Sequence, residues 1–239
     1  MIYAAILAGG LGKRMNSAIP KQFLPLGGSP IFIHSIRRFL QQEEIAQVYL
    51  GIPADWVDVA QEQITKYLGD EPRFHTALGG ENREDTLMNI IGKIKADYGV
   101  GDADIILVHD SVRPFVTPRL LRAVMEKMCV CKACNTVVPA VNTIVRSQDG
   151  IEIDDVPLRS HMYAGQSPQG FHIKTLLEAY ASLSAEEKQT LTETTRICMM
   201  RGIPVHFVQG EVFNFKITTE YDYQMAQNMF AYIREVSGT

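Results

Sequence analysis

Acidic residues are missing from the first 42 positions, although the 239-residue chain carries a formal net charge of −4 and its pI is about 5.9. That stretch holds Lys13, Arg14, Lys21, Arg37 and Arg38. A cationic opening in an acidic protein points to a small anionic ligand, whereas a nucleic-acid binder would be basic overall. Apolar runs long enough to span a membrane are also missing, and Met1–Gly10 lacks the basic start of a secretory signal. These features predict a soluble, cytoplasmic protein that engages neither membrane nor nucleic acid. Cysteine is scarce. Cys129, Cys131 and Cys134 cluster and Cys198 stands apart, with no histidine at a zinc spacing, so small packed residues are expected rather than a metal site or disulfides.

Apolar residues make up 46% and charged residues 21%, enough for a sizeable core and unlike a disordered chain. The length fits one α/β domain, residues 1–239. Strands are expected at Ile2–Leu7, Val48–Ile52, Phe74–Leu78, Asp104–Val108, Thr136–Val141 and Val205–Val208. Between them the pattern predicts helices: one opened by Ser29 as N-cap with Pro30 in its first turn, then Asp55–Leu68, Glu84–Ala96, one after Thr117-Pro118, one behind the Ser184/Glu187 capping box, and Tyr221–Val236. Residues 142–165 are irregular and read as a protruding arm, and Gln166-Ser167-Pro168-Gln169 reads as a turn. Alternating strands and helices imply an α/β fold with a mostly parallel sheet covered on both faces. Ligands in such sheets bind beyond the carboxyl ends of the strands, which selects the loops after Leu7 and Val108 and the segment before Lys216.

Four segments carry chemistry. In Leu7-Ala8-Gly9-Gly10-Leu11-Gly12-Lys13-Arg14-Met15, followed by Pro20-Lys21, glycines let the backbone approach phosphates while Arg14 and Lys21 supply charge. Met15 stands where the dinucleotide fingerprint needs its third glycine, and no acid follows at the distance required for the ribose, which argues against an NAD(P)-dependent oxidoreductase. Leu7 and Arg14 break the Walker pattern, and a tight turn with solvated charges is the plain alternative. His109-Asp110-Ser111-Val112-Arg113-Pro114 offers a strand-end carboxylate that could hold Mg²⁺ or a hydroxyl, or pair structurally with Arg113. No G-x-S-x-G elbow surrounds it, so a hydrolase triad is not expected. Lys216 lies in Asn214-Phe215-Lys216-Ile217-Thr218-Thr219, read as a strand tip before a helix, and Arg159 precedes the Gln166-Ser167-Pro168-Gln169 segment; either could be an ordinary solvated cation.

In this order LAGGLGKRM, PKQF, GGENREDT, HDSVRPF, NTIV, QSPQGF, LTE and NFKITT span the whole length. On these motifs the chain resembles the sugar-alcohol-phosphate cytidylyltransferases, which include methylerythritol phosphate and ribitol 5-phosphate enzymes. The Leu-Ala-Gly-Gly loop and Met162-Tyr163 before QSPQ look more like the ribitol 5-phosphate branch. The resemblance implies a Rossmann-like nucleotidyltransferase fold whose arm, 142–165, dimerises the chain. It implies transfer of CMP from CTP to ribitol 5-phosphate with Mg²⁺, giving CDP-ribitol for teichoic acid or capsule precursors, with methylerythritol phosphate as the rival acceptor. Arg14, Lys21 and Lys216 are the implied catalytic cations. Leu7, Ala8, Gly9, Gly10, Gly12, Gly80, Glu81, Arg83, Asp85, Thr86 and Ser111 are implied at the nucleotide. Asp110, Arg113, Thr143, Arg159, Thr192 and Lys216 are implied at the acceptor, Arg159 across the subunit boundary, with Asp110 the candidate metal ligand. Two positions depart from the family pattern: Asn16 where glycine is frequent, and Glu193 where aspartate is. Such a reaction needs no general base, because the attacking phosphate, with a second pKa of about 6, is already ionised at pH 7. A catalytically silent nucleotide-binding partner is the remaining alternative; the joint presence of Arg14, Lys21, Asp110 and Lys216 speaks against it.

Overall fold

A computed structural model describes residues 1–9 and 19–237, apart from the side chains of Arg234 and Ser237. The loop positions Gly10, Gly12, Arg14 and Asn16 lie outside the described residues. The chain runs through β1 (Ile2–Leu7), a short hairpin of β2 (Pro25–Leu26) and β3 (Ser29–Pro30), α1 (Ile31–Leu40), β4 (Gln47–Ile52), α2 (Val57–Leu68), β5 (Phe74–Leu78) and α3 (Arg83–Tyr98). It continues through β6 (Ile105–Asp110), α4 (Pro118–Met128), β7 (Ala133–Pro139), β8 (Tyr163–His172), α5 (Ile173–Ala181), α6 (Ala185–Gln189), α7 (Thr194–Met199), β9 (Val205–Gln209) and α8 (Glu220–Ser237).

Seven strands form one sheet in the order β5-β4-β1-β6-β8-β7-β9. All neighbours are parallel except β8, which runs antiparallel to both β6 and β7. Strand periodicity explains the two helical layers. Along β1, Ala4 and Ile6 point to a cluster with Phe32, Ile36, Ile64 and Leu121, whereas Tyr3, Ala5 and Leu7 meet Leu87, Ile90, Ile94 and Leu176 on the other face. Register aligns Leu7 with Gly51 and with Asp110, so the carboxyl ends of β4, β1 and β6 finish together. A third cluster of Leu26, Ile31, Val112, Phe115, Ile217 and Ala226 seats α8 and the irregular segment before it against this end.

Local signals were decisive where they involve the backbone of a single helix start. Thr117 accepts from Leu120 N, and Ser184 with Glu187 forms the reciprocal capping box. Three expectations need correction. Ser29 does not cap α1: Ser29 and Pro30 pair with β2, Pro30 occupies the cap position, and the Ser29 hydroxyl instead accepts from Arg37. Residues 166–169 are no turn but the buried middle of β8. Pro168 is tolerated there because the β7–β8 ladder is irregular between Asn135 and Val137, and Thr136 Oγ1 donates to the Pro168 carbonyl at 2.6 Å. Lys216 belongs to no strand; it follows an irregular extended path before α8.

The irregular stretch also ends earlier than 165, since Tyr163 already opens β8. Upstream, Arg146 and Asp155 pair as an isolated antiparallel bridge, and Val141, Ile144, Val145, Ile151, Ile153 and Val156 are all exposed. Among the cysteines Cys134 and Cys198 are buried, Cys131 is half-buried and Cys129 is exposed. No helix among the described residues is long and apolar enough to cross a membrane.

Candidate active site

The aligned ends of β1 and β6 open into a cleft of about 660 Å³ that also receives the start of α3 and the segment carrying Lys216. Leu7, Ala8, Gly9, Lys21, Gly80, Glu81, Arg83, Thr86, Asp110, Ser111 and Lys216 line it. Sequence-distant segments therefore meet at the strand ends, as sheet topology requires.

One wall is set by Thr86 in the first turn of α3. Its hydroxyl accepts from Gly80 N at 3.0 Å and donates to the Asn82 carbonyl at 2.9 Å. Gly80 is pressed so tightly on that turn that an added Cβ would fall 2.3 Å from Asp85 Cβ and 2.8 Å from the Asp85 carbonyl carbon. Asp85 does not line the cleft; it meets the cap residue Asn82 and the Tyr180 hydroxyl. On the opposite wall Gln22 donates to the Ala8 carbonyl at 2.7 Å, fixing the end of β1 against the buried Lys21 segment.

Asp110 anchors the floor. Its Oδ2 lies 3.2 Å from Arg113 Nε and 3.1 Å from Lys216 Nζ, and its Oδ1 lies 3.6 Å from Arg83 Nε. Burial by itself would raise the carboxyl's pKa; Arg83, Lys216 and Arg113 outweigh it and hold the group well below the carboxylate range. Asp110 is thus a fixed anion shared by three cations. Both oxygens are engaged, so a divalent ion there would have to displace or face those cations, and the expectation of Asp110 as a metal ligand does not fit this donor set. Among the described residues no three His, Cys, Asp or Glu side chains gather as metal ligands.

The cations differ in their freedom. Arg113 is buried and also donates to the Asn214 carbonyl at 2.9 Å. Arg83, half-buried, donates to Thr194 Oγ1 and Gln169 Oε1 and lies within 3.6 Å of Glu84 and 3.4 Å of Glu193. Protein groups therefore surround its guanidinium, which makes it a brace of the cleft. Lys216 keeps 40% of its side chain exposed towards the cleft. Thr143, Arg159 and Thr192 are exposed and line no part of the cleft; Arg159 donates to the Val141 carbonyl at 3.3 Å.

Sequence reasoning missed His109 as a structural element of this floor. The ring is fully buried beside Phe39. Its Nε2 lies 3.1 Å from the Arg113 carbonyl, which can only accept, so Nε2 carries the proton and Nδ1 accepts from Ser167 Oγ at 3.0 Å. Ser167 Oγ in turn accepts from Asp110 N at 3.1 Å. Burial pushes the His109 pKa down to about 4. Because the folded value is the lower one, the unfolded chain binds a proton first as pH falls, and stability drops between about pH 6.5 and 4 by about 3 kcal/mol. Urea unfolding at pH 7 and pH 4.5 is expected to show this loss in the parent and less of it in His109→Gln; equal losses would refute it.

A cluster of cations at the strand ends around a glycine-shaped wall suits polyphosphate, and the comparisons with known proteins agree. The model of the 2-C-methyl-D-erythritol 4-phosphate cytidylyltransferase family, IspD, matches residues 2–232. The chain belongs to this family. It is a nucleotidyltransferase, and the family's reaction is CTP-dependent cytidylyl transfer. A ribitol-5-phosphate cytidylyltransferase of Lactiplantibacillus plantarum is 46% identical over 227 residues, covering 95% of this chain and 97% of that protein. The crystal structure of 4-diphosphocytidyl-2C-methyl-D-erythritol synthase from Anaerococcus prevotii is similar with a TM-score of 0.78 at 25% identity, covering 97% of this chain and 96% of that one. The Francisella tularensis 2-C-methyl-D-erythritol 4-phosphate cytidylyltransferase has a TM-score of 0.80 at 24% identity, with 96% and 99% covered, and so speaks to the fold alone.

Proposed function

We propose that this family member transfers CMP from CTP to D-ribitol 5-phosphate, releasing pyrophosphate and forming CDP-ribitol. The observation that carries the acceptor is the 46% identity, over 95% of the chain, to a ribitol-5-phosphate cytidylyltransferase. The cleft supports the chemistry. An ionised phosphate oxygen of the acceptor attacks the α-phosphorus, a new P–O bond forms, and the bond to the β-phosphate oxygen breaks with its electron pair leaving on pyrophosphate. No proton has to move, in keeping with a floor whose one histidine is buried and neutral. Catalysis is then positioning and charge stabilisation. Lys216 and Lys21 face the cleft and would neutralise the transferring group, Asp110 holds Lys216 in place, and Arg14 would add a further cation from the glycine loop. Mg²⁺ would enter as the counter-ion of the triphosphate.

The arm is proposed to pair two chains, with Arg159 reaching the partner's acceptor site; its exposed Val141, Ile144, Val145 and Ile151 support this, as does the position of Arg159 away from its own cleft. A cytoplasmic place of action is part of this reading and is supported by water-soluble substrates. The test is pyrophosphate release from CTP and Mg²⁺, with ribitol 5-phosphate and methylerythritol phosphate offered separately. Preference for ribitol 5-phosphate is expected; preference for methylerythritol phosphate would overturn the acceptor. In the same assay Arg159→Ala should raise the KM for the acceptor, and a rise confined to CTP would refute the cross-subunit role.

A further inference from the structure

Asp222 takes no part in the chemistry above, yet it stands where the segment carrying Lys216 turns into α8. Thr219 immediately precedes that helix. Its Oγ1 accepts from Asp222 N at 3.2 Å, and Asp222 Oδ2 accepts in return from Thr219 N at 2.8 Å. This is a reciprocal capping box with aspartate in the place of the usual glutamate. The same carboxylate oxygen accepts from Thr219 Oγ1 at 2.9 Å and from Thr218 N at 2.9 Å. Capping does not need the bond from Thr218, and Thr218 lines the cleft two residues after Lys216. The first turn of α8 is also joined to the Lys21 side. Leu24 N donates to the Lys21 carbonyl at 3.1 Å, and the Tyr223 hydroxyl donates to the Pro25 carbonyl. Leu24 and Leu26 pack in the cluster that holds Ile217, Tyr223 and Ala226.

The carboxylate is thus fixed on the backbone that follows one cleft cation and within reach of the other. Burial by itself would raise its pKa; hydrogen bonds from Thr219 and Thr218 and the nearby charge of Lys21 outweigh it and hold the group below its ordinary value. Lys21 is buried along most of its length, yet it forms part of the cleft wall. A lysine ammonium sits on a flexible stem, so a fixed anion beside it decides where the charge points. We propose that Asp222 is a positioning residue for Lys21: held on the segment that carries Lys216, its carboxylate directs the Lys21 ammonium into the cleft, so that both lysines address one transferring group. This rests on the role given to Lys21 above. Asp222 itself does not line the cleft, and it acts on the reaction through Lys21 as Asp110 does through Lys216.

The experiment compares the parent with Asp222→Asn, Lys21→Ala and the double variant. It measures kcat for pyrophosphate release with CTP, Mg²⁺ and the acceptor the parent prefers, alongside thermal unfolding. Asp222→Asn removes the charge but keeps an oxygen for the Thr218 and Thr219 donors, so Tm should move by less than about 4 °C. Its kcat should fall by about 10- to 10²-fold, the cost of misplacing a group at the reacting centre. On Lys21→Ala the same substitution should change kcat by less than about twofold, because no ammonium is left to direct. Asp222→Glu keeps the charge and supplies the usual capping-box residue, and it should retain more activity than Asp222→Asn. An unchanged kcat in Asp222→Asn, a loss that repeats in full on Lys21→Ala, or an Asp222→Glu no better than Asp222→Asn would each overturn the assignment. If Asp222→Asn fails to fold, Asp222→Gln, a neutral capping-box residue, decides by the same criteria. Near-parental turnover in Lys21→Ala refutes the role of Lys21 itself, whereas an impaired Lys21→Ala beside an unaffected Asp222→Asn refutes only that of Asp222.

Discussion

Lys216→Ala is expected to lower kcat by about 10²–10³-fold, the usual effect of deleting one preorganised electrostatic donor at a reacting centre. The ammonium is the most exposed of the three cations around Asp110, at 40%, and it faces the cleft. Its pairing with Asp110 Oδ2 at 3.1 Å restricts where it points, so its charge is in place before substrate arrives. Folding should hardly notice the change. Asp110 retains Arg83 and Arg113, and a pair with one partly exposed member contributes only about 0–1 kcal/mol. Lys216→Arg should fall between parent and alanine variant, because a guanidinium keeps the charge but prefers a bidentate, planar fit to the carboxylate. The check is kcat from initial rates at saturating CTP and acceptor, alongside thermal unfolding. Near-parental turnover in Lys216→Ala would remove Lys216 from the chemistry.

Asp110→Asn is expected to act chiefly on stability, with a loss of about 3–5 kcal/mol, because one neutralised partner strands buried charge that nothing else compensates. Arg113 is itself buried and Arg83 is enclosed by protein groups, so neither can turn fully to water. The pH dependence has a definite sign. The folded Asp110 pKa lies below the unfolded one, since the three cations outweigh burial. Its contribution is therefore complete above about pH 4, the unfolded value, and is lost only as pH falls further. The His109 loss comes earlier, from about pH 6.5 down to about 4. Parent and Asp110→Asn unfolding curves should thus stay offset by a constant amount from pH 8 to pH 5 and converge in stronger acid. An offset below about 1 kcal/mol at pH 7 would mean that solvent, not Asp110, balances the cations.

Much of the architecture was legible in the chain. The ends of β1 and β5 coincide with the expected Ile2–Leu7 and Phe74–Leu78, and β4 and β9 differ by one residue at one end. Short apolar runs ended by glycine or proline leave few alternatives, because the period-2 pattern needs a layer on each face. The cation-rich strand ends were also readable, since sheet topology alone says where ligands go. Gln166-Ser167-Pro168-Gln169 was not readable as strand: its residues favour turns locally, and only insertion between β6 and β7 outweighs that preference. Ser29 likewise carries the signature of a cap, but pairing with Leu26 takes priority.

For the site the division follows range. Sequence by itself determined most of the parallel strands, the Thr117 cap and the Ser184/Glu187 capping box, the mostly parallel sheet and the presence of Lys21, Asp110 and Lys216 at its ligand-binding edge, because local pattern and sheet topology are enough for each. The tertiary structure decided that Asp110 is an anion shared by three cations, that Arg83 is a brace and that His109 holds its proton on Nε2. Those properties arise largely from distant partners, such as Lys216 with Asp110, Ser167 with His109 and Gln169 with Arg83, and no local pattern records which distant donor reaches which acceptor. Burial and charge pairing, which set the state of each group, exist only once the sheet has brought those segments together.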